Sequence, residues 1–517
     1  MLSLEVLSSR VMTPYFGVSL YIRAGIRSIT LPCLAVGYSV GGRLSKRLAA
    51  PAQGALFLAM PVLGAVAVLV ACLVYPFAFP LLARFDLVLG SFLGSAVLLA
   101  VPLVCLSAMN PLLISLRTAA EKGGGTDKGD GGAGLVLFVS TAGSVVGVLV
   151  TAFALIPGFT NFEALLWLSV ALCGFAAAGA MRTPGLDAGR RRQVLAAGAV
   201  IGALCVALVA VQERFFGLLT ALDADPAELT ILGEYSTVFG NIKVARVRAN
   251  KPAAQPLKVY LQDGLVQNRA TDDDVSVSMY TYVLDRLAGG FAPDARDAVV
   301  LGLGAGFVPR DLKKRGVNVS VVEINPVSVA AARDHFGFDP AGFDLSITDA
   351  RTYVRACRRA FDVAVVDLFQ GDATPDYLMS AEFFADLNRC LRRDGVVVMN
   401  AFFDDEDETP NRRLLATIAS AFPTVVLYRP GEGNAFVAAL NRPVESAVSY
   451  DLAGIPEPLR PAVLGTLDAA RLVRPATLLG YAPVSDRQNH FSILMAGARM
   501  AQRQWLTNAL PARFLMN

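Results

Sequence analysis

The stretch Val299–Pro326, VVLGLGAGFVPRDLKKRGVNVSVVEINP, decides the fold, because it reads as strand, glycine turn, helix, second strand and terminal acid. Gly302, Gly304 and Gly306 come directly after the apolar run Ala298–Leu301. Glycines there let the backbone turn sharply and approach a ligand before a helix begins. Glu323 closes the second strand about twenty residues on, where an acid hydrogen-bonds the two hydroxyls of a ribose. The G-x-G-x-G spacing lacks the later glycine that lets a helix pack beneath a pyrophosphate, which favours a single nucleoside such as S-adenosylmethionine over a dinucleotide.

Downstream of this stretch, strand and helix patterns alternate: Asn318–Glu323, Pro326–Phe336, Asp344–Thr348, Ala350–Cys357, Phe361–Asp367, Ala381–Leu391, Gly395–Asn400 and a terminal hairpin near Val425–Leu440. Such alternation predicts a parallel, doubly wound, Rossmann-like sheet with ligands at the carboxyl ends of its strands. Polar residues collect at those ends: Glu323, Asp349, Asp367 and Asn400. Asp367 ends the run DVAVVD, where a carboxylate can act as general base or bind an amine. Asp349, in TDAR, can bind a ligand or simply cap the helix after it. Tyr280 and Tyr282 read as aromatics on a helix face, His335 and His490 as structural residues, and the acidic run Asp404–Glu408 as a solvated loop or the edge of a site for a cation. Upstream, Leu229–Arg269 alternates in the manner of a small antiparallel sheet.

The first 212 residues are of another kind. The chain of 517 residues is 54% hydrophobic, with a mean hydropathy of +0.51, too apolar for an ordinary soluble enzyme. The excess lies in six candidate spans, roughly 18–40, 54–75, 87–116, 135–156, 162–180 and 194–211. Each approaches or exceeds the length of about 20 residues that crosses a bilayer. Arg23 and Arg27 make the first the weakest, since a central arginine is costly in hydrocarbon. Met1–Arg10 shows no basic start followed by an apolar core, so no cleavable signal is expected. Basic clusters at Arg43, Lys46 and Arg47 and at Arg182 and Arg190–Arg192 mark cytoplasmic loops by the positive-inside rule. Strict alternation of six spans then sets everything after Val211 outside, against a cytosolic nucleoside, so the side stays open at this stage.

Other features exclude classes. The loop Glu121–Gly134 is a flexible glycine-rich connector without the G-K-S/T of a phosphate loop. With seven cysteines, none in C-x-x-C, and two histidines, neither a metal site nor a disulfide framework is expected. A net charge of +3 with scattered arginines gives no case for nucleic acid.

In order along the chain, EYSTVFGNIKV, LQDGLVQ, VVLGLGAG, VVEINP, TDAR, FDVAVVDLF, EFFADLNRCLRRDGVVVMN and FPTVVLY resemble the spermidine synthase family of aminopropyltransferases. The likeness covers roughly 229–440. EVLSSRVMTPYFG, GYSVGGRLSKR and a late SDRQN (485–489) resemble the branch of that family fused to a multi-span membrane region. That branch usually carries an apolar helix ahead of its EVLSSR-like segment, so the resemblance implies a chain that begins one helix late. It implies no permanent cofactor, and a co-substrate, decarboxylated S-adenosylmethionine or S-adenosylmethionine itself, held by Gln267, Glu323, Asp349 and Ala350 together with the turn Gly302, Gly304 and Gly306. Asp367 would take the proton of an attacking amine, with Tyr280 beside it as a second catalytic residue. Two copies would pair through the synthase-like part.

The amine side departs from the family. Ala305 stands where the family's glycine turn carries an aspartate for the aminopropyl ammonium, and Gln370 where it repeats an acid after the catalytic one. Asp372 and the run near Asp404 are the candidates to compensate. The family's D-E-x-x-Y-x-E segment is here DDDVSVSMYTY, in which Tyr280 alone aligns with comfort. The expected architecture is therefore a multi-pass membrane helical region (1–212), a linker and antiparallel β-region (213–290), a Rossmann-like nucleoside-binding domain (291–440) and a C-terminal extension (441–517). Its expected reaction is aminopropyl transfer to a small amine such as putrescine. Methyl transfer, or nucleoside or polyamine sensing without turnover, are the alternatives.

Overall fold

The computed structural model describes the chain except for residues 18–19, 85–86, 123–131, 184–185, 221–227, 249–254, 358–360, 372–373, 432–433, 445–447, 510–511 and 517. It divides into two compact units, residues 1–226 with 503–517, and residues 227–502.

The first unit is helical. Among the described residues, five helices are long and apolar enough to cross a membrane: Ala50–Arg84, Val88–Ala119, Ala133–Gly158, Asn161–Arg182 and Ala188–Leu219. The first expected span does form a helix, Leu20–Arg47, but it is not among these five. Arg23 and Arg27 are both exposed on it, so they do not face the bundle interior. The helix Ala133–Gly158 turns large apolar side chains outward, Phe138 and Phe153 being 68% and 76% exposed, as a lipid-facing helix would. Asn161–Arg182 starts with a reciprocal cap: Thr160 Oγ1 accepts from Glu163 N–H at 3.2 Å and Glu163 Oε2 from Thr160 N–H at 3.0 Å. The returning C-terminal residues belong here too, with Arg513 paired to Glu213 at 3.1 Å and Arg503 donating to Pro14 O at 3.1 Å.

The second unit contains two sheets. Strands β1 (Glu228–Thr237), β2 (Gly240–Arg248), β3 (Leu257–Gln262) and β4 (Leu265–Ala270) form an antiparallel meander. The larger sheet consists of β5 (Asp297–Leu301), β6 (Asn318–Glu323), β7 (Asp344–Ile347), β8 (Phe361–Val366), β9 (Leu391–Phe402), β10 (Thr424–Tyr428), β11 (Asn434–Leu440) and β12 (Ala470–Leu472). Their spatial order is β12-β10-β11-β9-β8-β5-β6-β7. β5 to β9 are parallel, and the last three strands run antiparallel at one edge. The edge strand β12 comes from the C-terminal extension and had no counterpart in the sequence reading; it has only three residues, all exposed.

Why the central strands read as continuous apolar runs is plain from their packing. Side chains alternate across a strand, so a sheet covered on both faces needs apolar residues at every position. Val299 and Leu301 of β5, Ala364 and Val366 of β8, and Val397 and Met399 of β9 enter one core layer. Ala298, Val300, Val363, Val365, Val396 and Val398 enter the opposite one. A third cluster, with Ile242, Val244, Tyr260, Phe307 and Phe336, packs the meander against the helices that follow β5 and β6. The chain leaves β5 and β8, adjacent strands, toward opposite ends of the sheet. That is the switch point where such sheets open a crevice.

One expectation is corrected here. Cys357, which follows the helix Ala350–Ala356, and Cys390, the last residue of the helix Ala381–Cys390, are joined as a disulfide, with Cα atoms 5.7 Å apart. Their spacing of 33 residues carries no local signature, so the pairing is set by how the two helices pack.

Candidate active site

The crevice above β5 and β8 encloses about 870 Å³ of space open to solvent. Gly302 makes its floor possible. Its φ is +93°, and a Cβ there would stand 2.1 Å from the carbonyl oxygen of Asp367, so only glycine lets the two strand ends lie this close. Gly304, φ +54°, also lines the cavity. Gly306 does not: it opens the helix Phe307–Lys314 at φ +82°, and a Cβ on it would meet the Phe338 ring at 2.9 Å. Its glycine is thus required by helix packing rather than by the cavity surface.

Glu323, at the end of β6, is buried, and each of its oxygens accepts a backbone N–H: Leu303 to Oε2 at 3.0 Å and Asn325 to Oε1 at 2.8 Å. Burial pushes its carboxyl above the ordinary range, while the N–H groups of Asn325 and Leu303 pull the other way. The carboxylate is therefore fixed in the crevice, and each oxygen keeps acceptor capacity for a ribose hydroxyl.

Asp367 follows β8. Its backbone N–H donates to Leu301 O at 2.9 Å, and its Oδ1 accepts from Asn400 Nδ2 at 3.0 Å. Desolvation raises its pKa to about 6, against the stabilising bond from Asn400. Tyr280, on the helix Met279–Phe291, lines the same cavity and accepts from Asn268 Nδ2 at 3.1 Å. Its burial, with the Asp367 charge nearby, pushes its phenol up, so it stays a neutral donor. Tyr282 points elsewhere, donating to Ser276 O at 2.8 Å.

Asp349 lines the cavity and also caps the helix Ala350–Ala356, its Oδ1 accepting from Thr352 N–H at 2.9 Å. Its Oδ2 accepts from Tyr377 OH at 2.7 Å. The residue is thus a helix cap that also borders the cavity. Ala350 lines the wall beside it, and Gln267, from β4, reaches the loop after β8, donating to Gly371 O at 2.9 Å. Gln370 donates to Phe239 O at 3.2 Å, so the same loop is pinned to the meander.

The departures have physical positions. Ala305 is buried in the apolar cluster with Tyr260 and Phe307 and is not part of the cavity wall. Asp372 lies outside the described residues. The acidic run is engaged elsewhere: Asp404 Oδ1 accepts the N–H groups of Glu406 and Asp407, Asp407 caps the helix Glu408–Ala419, and Asp405 and Glu408 pair with Arg429. His335 accepts from or donates to Tyr235 OH at 3.0 Å, and His490 precedes the short helix Phe491–Leu494. Residues the sequence reading passed over include Tyr260, Gln262 and Tyr377. Gln262 sits in the LQDG turn that was singled out, while Tyr377 had no signal beyond following Asp367 by ten residues. Among the described residues, the lining has no lysine, arginine or histidine, and three carboxylates. Among the same residues, no group of His, Cys, Asp and Glu side chains could hold a metal ion.

Residues 277–428 match the spermine/spermidine synthase domain. An N-terminal histidine N-methyltransferase of Emericella nidulans is 36% identical over 138 residues, covering 26% of this chain and 24% of that protein. A polyamine aminopropyltransferase of Mycobacterium tuberculosis is 28% identical over 408 residues, 75% of this chain and 73% of that one. The solved structure of a probable spermidine synthase from Corynebacterium glutamicum aligns with a TM-score of 0.41 at 19% identity, covering 50% of this chain and 97% of that one. The chain spans between 24% and 54% of the length of the first curated relatives it matches. The C-terminal part of this chain carries a spermine/spermidine synthase domain.

Proposed function

We propose that the second unit transfers an aminopropyl group from decarboxylated S-adenosylmethionine to a small amine such as putrescine, giving spermidine and methylthioadenosine. The observation that carries this reading is Asp367: a desolvated carboxylate at the switch point, with its pKa raised to about 6 and one oxygen held by Asn400. An amine that is protonated is no nucleophile, so a carboxylate must bind it and accept its proton. The amine nitrogen then attacks the carbon bonded to the sulfonium, the C–S bond breaks, and its electron pair stays on sulfur as a neutral thioether. Gly302, Gly304, Glu323, Asp349, Ala350 and Gln267 would hold the nucleoside, and Tyr280 would face the reacting centre. Gly306 would contribute by shaping the turn.

Charge supports the choice of donor. Decarboxylated S-adenosylmethionine is a cation without a carboxylate, and the described lining offers acids and no basic side chain. The similarity to the polyamine aminopropyltransferase of Mycobacterium tuberculosis supports it as well. Methyl transfer from S-adenosylmethionine is the second reading, favoured by one observation: Ala305 supplies no acid for an aminopropyl ammonium. The same reading places the helical unit in a membrane as a multi-pass anchor, and pairs two copies through the synthase-like unit on the family resemblance alone.

The test is direct. Purified protein is incubated with each nucleoside and a panel of amines, and products are read by mass. Methylthioadenosine formed with putrescine, and lost in Asp367→Asn, is the expected result; adenosylhomocysteine in its place selects methyl transfer. Neither product, alongside nucleoside binding, would leave a sensor.

A further inference from the structure

We infer that the segment Val484–Ser492, which lies beyond the matched domain, is a strap that fixes one wall of the nucleoside cavity, with Asp486 as its main positioning residue. The inference rests on the proposed nucleoside site and deepens it. The wall in question is the single turn Asp376–Leu378, whose Tyr377 and Leu378 line the cavity with Pro375. The turn has two backbone bonds of its own, Leu378 N–H to Pro375 O at 3.0 Å and Met379 N–H to Asp376 O at 2.9 Å, and these do not tie it to the rest of the cavity.

The strap supplies bonds that do. Asn489 Nδ2 donates to Asp376 O at 2.5 Å and Ser492 N–H to Asp376 Oδ1 at 2.8 Å. Ser492 Oγ reaches the same carboxylate oxygen. Asp486 takes both terminal nitrogens of Arg351 in a bidentate pair, at 2.7 Å for Nη1. That Nη1 also donates to Tyr377 O at 2.7 Å. Arg351 is 6% exposed and directly follows Asp349 and Ala350, which also line the cavity. The guanidinium thus ties strap, turn and nucleoside wall together, and Tyr377 OH closes the circuit on Asp349 at 2.7 Å. Backbone bonds anchor the strap itself: Val484 O accepts from Ala381 N–H at 2.8 Å, and Val484 N–H donates to Thr417 Oγ1 at 2.8 Å.

A buried arginine that loses its carboxylate partner keeps its charge and must find another acceptor, which pulls it off Tyr377 O. The strap therefore acts on nucleoside affinity through Tyr377 and leaves the proton acceptor alone. The experiment uses the full chain in detergent with methylthioadenosine as the probe, comparing the unaltered protein, Asp486→Asn, Tyr377→Phe and the double variant. Each single change is expected to weaken binding about ten-fold, as loss of a charge-assisted bond does, with the double variant within about two-fold of the weaker single. Asp486→Glu should recover part of the loss, and the acidic limb of the activity profile should stay in place. Ser492→Ala leaves the buried pair intact and should also weaken binding, which keeps the test open if Asp486→Asn does not fold. Additive losses in the double variant, or binding within about two-fold of normal in Asp486→Asn and Ser492→Ala, would overturn the strap while leaving the nucleoside site standing. No binding by the unaltered protein would overturn both.

Discussion

Asn400 donates its side-chain amide to Asp367 Oδ1 at 3.0 Å, joining the ends of two adjacent parallel strands. Asn400 is 5% exposed, and burial raises the pKa of Asp367 to about 6. In the proposed reaction Asp367 is the general base, oriented by Asn400, with burial raising its proton affinity and the amide bond opposing that rise.

Transfer requires the ionised form of Asp367, so kcat/KM should fall as pH drops through about 6. The amide bond favours the ionised form, so Asn400→Leu should move that limb to higher pH, by about one unit. A pH-rate profile measured with limiting amine and saturating nucleoside checks both. A limb that stays put in Asn400→Leu would separate Asp367 from the titration.

Asp367→Asn should abolish transfer and at the same time stabilise the protein. The folded pKa lies above the ordinary value of 3.8, so the folded state holds its proton more tightly than the unfolded chain. The group's favourable contribution is complete below the unfolded pKa and is lost as pH rises through about 6. Above that, the ionised buried carboxylate costs on the order of 1 kcal/mol or more, which the amide avoids. Thermal midpoints should therefore differ at pH 8 and converge towards pH 4.

Glu323→Gln should weaken nucleoside binding by about 1.5–3 kcal/mol, the range for a hydrogen bond to a charged group. An amide also supplies only one acceptor oxygen, so one of the two N–H groups at Leu303 and Asn325 loses its partner. Calorimetry with methylthioadenosine reads the loss. Unchanged affinity would remove Glu323 from the site.

Gly302→Ala combines a backbone strain at φ +93° with a clash against Asp367 O at 2.1 Å. Stability should fall by about 3 kcal/mol or more, and any folded remnant should have lost the register of Asp367. Gly304→Ala, where a Cβ meets nothing within 4 Å, should cost only the strain of its positive φ, about 1–2 kcal/mol. Denaturant midpoints of the two variants give the comparison.

The helix Ala188–Leu219 carries Arg190, Arg191 and Arg192 in its first turn. By the positive-inside rule alone that end would lie in the cytoplasm and the chain would leave the last span on the other face, which a cytosolic nucleoside donor opposes. On that rule a cysteine placed at Asp405 should react with a membrane-impermeant maleimide in intact cells. Reaction only after permeabilisation would place the residue in the cytoplasm.

Periodic and local features of the sequence were enough for much of this. Apolar runs at Ala298–Leu301 and Phe361–Val366 specify strands buried on both faces, because alternate side chains enter two cores. The glycine turn, the acids at the strand ends and the apolar helices were equally legible, each resting on a few consecutive residues. What only the tertiary structure decided is pairing across distance. Gly306 answers to Phe338, Asp349 to Tyr377, Asp367 to Asn400, and Arg351 to an aspartate 135 residues away. Such partners depend on strand order and helix packing, which no local spacing encodes. They set which carboxylate is desolvated, which is clamped, and which wall of the cavity is held.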